Sequence, residues 1–183
     1  GISEAELLGI QLGENIRVLK GDWKELLKEI KSMDYVMALT RNEYCVHERK
    51  GVYDNIKFFK GHGNMGIAVN PDIDLRFFMD QWKYAFAVTM KREKGQDLHG
   101  LQFFNSKGEA VHKIYTTPKS NVDAYHQLVE KYLAPEQVHL TDVDHSPEEK
   151  KEETPDAEID VAGFQEQWLG LKDTHDFFPL LRK

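Results

Sequence analysis

From Tyr35 to Tyr115 apolar residues recur at every second position in short runs, and this alternation constrains the fold more than any other feature. The runs are Val36–Leu39, Tyr44–His47, Gly66–Val69, Asp74–Phe78, Tyr84–Met90, Leu101–Phe104 and Ala110–Tyr115, rich in β-branched and aromatic residues. Glycines, asparagines and Pro71 punctuate them, with no helical run between. Parallel neighbours would need long crossovers, so the strands are expected to pair as an antiparallel meander. Asn105-Ser106-Lys107-Gly108 is the clearest hairpin turn.

Helical spacing flanks this region. Ser3 and Glu6 form a capping-box pattern opening a short helix over Leu7 and Leu8, which Gly9 or Gly13 is expected to end. Asp22 caps a second helix, in which Trp23, Leu26, Leu27, Ile30 and Met33 share one face. Asn121 caps a third, whose stripe of Val122, Tyr125, Leu128, Val129, Tyr132 and Leu133 should lie on the sheet. Phe164 to Leu171 reads as a further helix, and Asp176 can cap a last turn. The expected class is therefore α+β, helices packed on one large antiparallel sheet.

With 183 residues the chain has room for one ordinary domain. Nine acids and two lysines fall between Thr141 and Asp160, which gives that stretch the whole formal charge of −7. The remainder balances, 22 basic against 22 acidic residues, so no basic body exists to grip a phosphate backbone, and nucleic acid is not expected as a main partner. The expected organisation is a sheet domain over 1–140, an acidic linker over 141–160, and a helical segment over 161–183 packing on the same domain. A single cysteine, Cys45, fits a reducing compartment such as the cytoplasm, and no apolar run approaches the length of a membrane helix, so no membrane insertion is expected. The opening Gly1-Ile2-Ser3 carries neither an initiator methionine nor a leader, so the true beginning is expected upstream.

Generic catalytic motifs are missing. No phosphate loop or His-Glu-x-x-His site occurs, and Gly61 to Gly66 lacks the dinucleotide fingerprint. Glu43, Cys45 and His47 would share a strand face, a spacing met by chance in many strands. His99, His112, His126, His139 and His145 read as ordinary polar positions. His175 stands between a helix end and a new turn, beside Asp173, Asp176, Phe177 and Phe178, where spacing alone favours a capping or packed histidine.

Four strings occur in order: Thr40 to Glu48, Asn70 to Phe78 with Gln81-Trp82, Leu101 to Asn105, and Asp173 to Phe178. Together they resemble the haemin-degrading factor family of the HemS/ChuS type, from about Ile2 to Leu181. Members of that family are internal duplications, and this sequence resembles their amino-terminal half. The resemblance implies haem as ligand or substrate, His175 as the axial ligand of the haem iron, and Arg76 on the opposite, distal face. Chemistry is consistent with both roles. The start of a helical turn disfavours imidazolium and keeps His175 available to metal, while a guanidinium donates hydrogen bonds without competing as a ligand.

In the family the pocket is shared between the halves, so the carboxyl-terminal half is an implied partner, as is a haem oxygenase or a reductase. Arg41 and Arg182 are propionate candidates by charge only. Phe77, Phe78, Phe177 and Phe178 are candidates either to wall the macrocycle or to fill the core. The resemblance implies a cytoplasmic haem-utilisation protein that degrades haem to release iron. The alternatives are a non-catalytic chaperone delivering haem to a separate haem oxygenase, and an interaction module without haem.

Overall fold

The computed structural model describes residues 1–42, 44–59, 64–140, 142–147, 154–173 and 176–181. The chain divides into two compact units, Gly1–His145 and Ser146–Lys183. The first begins with helix α1 (Glu4–Ile10), strand β1 (Ile16–Leu19) and helix α2 (Trp23–Glu29), which runs into a 3-10 turn over Ile30–Met33. Strands β2 (Asp34–Arg41), β3 (Val46–Val52), β4 (Lys57–Phe58), β5 (Met65–Val69), β6 (Asp74–Phe78), β7 (Tyr84–Met90), β8 (Leu98–Phe104) and β9 (Ala110–Ser120) lead to helix α3 (Val122–Lys131).

All strand pairs are antiparallel, and the α+β class is as expected. The strands form two sheets: six strands in the order β1-β7-β8-β9-β2-β3, and three in the order β4-β5-β6. Alternation alone cannot reveal that partition, because it marks which residues face inward and not which strand lies alongside. β1 was not expected either. Its four residues pair with β7, and its outer edge is closed by chain beyond α3: Lys20 N–H donates to the Tyr132 carbonyl at 2.8 Å and Ala134 N–H to that of Val18 at 3.0 Å.

The helix starts follow the caps. Ser3 and Glu6 make the full reciprocal box, Asp22 accepts from Lys24 N–H at 2.8 Å, and Asn121 from Ala124 N–H at 3.1 Å. α1 continues past Gly9, which is buried against Leu140, and ends at Ile10. In the β8–β9 turn Gly108 has φ +74°, and a Cβ there would meet Ser3, so both conformation and space require glycine.

Leu26, Leu27, Ile30 and Met33 join Tyr125, Leu128 and Val129 of α3 over Val36, Ala38, Leu101, Phe103 and Ile114 of the large sheet. Ala68 and Phe77 bring the small sheet into this same core. A second cluster, under α1, holds Ala5, Tyr84, Phe86, Val88, Phe104 and Val143. The first residues of the acidic stretch are held to this unit: the Tyr84 hydroxyl donates to the Asp142 carbonyl, and Asp144 N–H donates to that of Ser106, both at 2.8 Å.

The second unit has helix α4 (Val161–Leu169), opened by Asp160 accepting from Gly163 N–H at 2.9 Å, and helix α5 (Phe177–Leu181). α4 starts before Phe164 because Asp160 provides the cap. Trp168 bridges Phe164 and Phe177, with ring centroids 5.7 and 5.4 Å away.

Candidate functional site

Strand β6 sets the candidate site through its alternation. Leu75 and Phe77 face the core, so Asp74, Arg76 and Phe78 face outward. Register places Phe78 opposite Met65, Arg76 opposite Ile67 and Asp74 opposite Val69 on β5. Phe59, whose N–H donates to the Met65 carbonyl at 2.9 Å, extends this face past β4. Phe78 is 59% exposed, and Val69 and Phe59 are 38% and 37% exposed, which makes an open apolar surface with one guanidinium on it. Arg76 is itself half exposed and ion-pairs with Asp74 along its own strand.

The two phenylalanines after Arg76 therefore separate. Phe77 is core, with ring centroids 6.4 Å from Phe58, 5.9 Å from Trp82 and 6.0 Å from the His112 imidazole. Phe78 is on the exposed side.

His112 corrects the reading of that residue as an ordinary polar position. It is buried, its Nε2 is 2.6 Å from the Tyr53 hydroxyl and its Nδ1 3.1 Å from the Thr40 hydroxyl. Burial lowers its pKa to about 4 and raises that of Tyr53, so both are neutral. The signal was present: His112 has the same strand parity as Ile114, which faces the core. Its neighbour Lys113, of opposite parity, is buried and ion-paired to Glu4, which also takes Arg41 at 2.6 Å. Arg41 is thus already committed to a carboxylate.

Cys45 is exposed and precedes β3, because the Asn42 side chain accepts from both Tyr44 and Cys45 N–H at 2.9 Å and turns the chain there. It shares no strand face with His47, and Glu43 lies outside the described residues. His175 and Arg182 also lie outside them. Phe177 packs on Trp168, and Phe178 falls within α5. Among the described residues no three His, Cys, Asp or Glu side chains gather to hold a metal ion, and no helix is long and apolar enough to cross a membrane.

Residues 1–132 match the model of the haemin-degrading HemS.ChuX domain. The hemin transport protein HmuS of Yersinia pestis is 37% identical over 184 residues, covering 100% of this chain and 51% of the relative. Holo-PhuS, a heme-binding protein from Pseudomonas aeruginosa, superposes with a TM-score of 0.87 at 40% identity, over 99% of this chain and 51% of that one. ChuS, an E. coli heme oxygenase, does so with a TM-score of 0.76 at 27% identity, over 99% and 51%. The chain thus spans about half the length of the curated relatives it matches. On the domain match over residues 1–132, the chain belongs to the haemin-degrading HemS/ChuX family.

Proposed function

We propose that this chain forms one wall of a haem site in a cytoplasmic haem-utilisation protein, with the outward face of β5 and β6 against the macrocycle. The observation that carries this reading is the exposed apolar face of Phe78, Val69 and Phe59 with Arg76 at its centre. Such a surface fits a flat apolar ring bearing one polar point at its middle. Phe78 offers a ring to stack on, and β-branched neighbours give flat packing.

In this reading His175 would hold the haem iron, and Arg76 would donate hydrogen bonds toward the bound group. A guanidinium carries only N–H donors, so it donates hydrogen bonds and never occupies a coordination position. Asp74 restrains that guanidinium on the sheet surface through their ion pair. The redox chemistry of ring opening is supplied by haem, and the chain's part is to bind, orient and donate. The family match favours degradation with release of iron. A transport role, in which haem passes intact to a haem oxygenase, is favoured by the name of the relative HmuS. Propionate anchoring and a second pocket wall fall to the remaining half of the longer protein.

Haem titration into Phe78→Asp and Arg76→Ala tests the wall. A carboxylate at position 78 places an unpaired charge against the ring and should weaken binding at least tenfold. Arg76→Ala should shift the Soret band with a smaller loss of affinity. Wild-type affinity and spectra in both variants would overturn the reading.

A further inference from the structure

Away from that wall, a cleft of about 160 Å³ opens beside β1, β7, β8 and α3. Glu14, Arg17, Thr89, His99, Tyr125 and His126 line it. His99 of β8 and His126 of α3 meet there with ring centroids 5.0 Å apart and planes at 73°. Tyr125 flanks both, at 5.0 Å from His99 and 5.3 Å from His126. The fold brings together two imidazoles that the sequence leaves unrelated.

Several features make this pair fit for coordination. The Nδ1 of His99 is 3.0 Å from the Thr89 hydroxyl, so the tautomer that donates to Thr89 leaves the Nε2 lone pair for a metal. The two cations at the cleft are each taken by a carboxylate, Arg17 by Glu130 at 2.7 Å and Lys91 by Asp97 at 2.9 Å. Glu14 adds a negative charge to the lining.

The spacing also agrees. With metal–nitrogen distances of about 2.0–2.1 Å, each ring centroid stands roughly 3.2 Å from the ion, and a near-tetrahedral angle puts two centroids about 5 Å apart. We propose that His99 and His126 together bind a late divalent transition-metal ion of the Zn²⁺, Cu²⁺ or Ni²⁺ type, with water in the remaining positions. Only two protein ligands contribute, since among the described residues no group of three is assembled. The bound ion is therefore open to exchange, and imidazole selects these metals over Mg²⁺ or Ca²⁺. This site is independent of the haem wall.

The test is a Zn²⁺ titration of the haem-free 183-residue chain, followed by nitrogen-15 spectra of the histidine rings. The first equivalent should shift the His99 and His126 resonances together and leave His112 and His139 unchanged. His99→Gln and His126→Gln should each weaken Zn²⁺ binding at least tenfold, Thr89→Val should weaken it several-fold, and His139→Gln should leave it unaltered. First-equivalent shifts at other histidines, or affinity within twofold of wild type in His99→Gln, would overturn the proposal. The wild-type spectra decide the matter even where a variant fails to fold.

Discussion

The Tyr53 hydroxyl lies 2.6 Å from Nε2 of His112 in the core, and this bond ties the chain leaving β3 to the first residues of β9. Phe77 sets its ring against the same imidazole. Its chain neighbours on either side are Arg76 and Phe78, the two outward residues of the proposed haem wall. A buried polar pair thus anchors the strand whose other face is exposed.

The pair makes stability depend on acid. His112 titrates at about 4 when folded, against an ordinary 6.5. Below pH 6.5 the unfolded chain takes up a proton that the folded chain refuses. The stabilisation is complete above pH 6.5 and is lost as pH falls toward 4, by roughly 3 kcal/mol across that window. Denaturant unfolding at a series of pH values should show this decline in wild type and a shallower one in His112→Gln. Equal slopes would contradict the assignment.

Gly66 on β5 lies under Phe58, and a Cβ there would collide with two carbons of that ring. Gly66→Ala should push Phe58 off the small sheet and cost about 1–3 kcal/mol, read as a lowered denaturation midpoint. A neutral effect would mean that Phe58 moves freely.

Glu4 is the carboxylate for buried Lys113. Glu4→Leu should destabilise by about 3 kcal/mol because it leaves a buried ammonium unpaired, whereas Glu4→Leu with Lys113→Met should return to near wild type. Equal losses in the single and double variants would show that packing, and not charge, is at stake.

Turnover separates degradation from delivery. With haem, oxygen, a physiological reductant and catalase to remove peroxide, the degradation reading expects the Soret band to decay with release of iron. A persistent band would favour intact delivery.

Much of this architecture was legible in the sequence. Alternation from Tyr35 to Tyr115 marked the antiparallel strands, and Ser3, Asp22 and Asn121 announced the helix starts, because both signals are local. The separate sheet of β4, β5 and β6 was not legible, since partner choice rests on contacts such as Phe77 with Trp82 and His112. Arg76 was reached through its motif, but only side-chain orientation distinguishes exposed Phe78 from buried Phe77. His99 and His126 could not be paired in advance, as one lies on a strand and the other on a helix that the fold lays beside it.

The most direct test of the haem assignment is spectroscopic titration of ferric haem into wild type and His175→Ala. The account predicts a displaced Soret band and at least tenfold weaker binding in the variant, with added imidazole restoring the wild-type band. Superimposable spectra and equal affinity would contradict it.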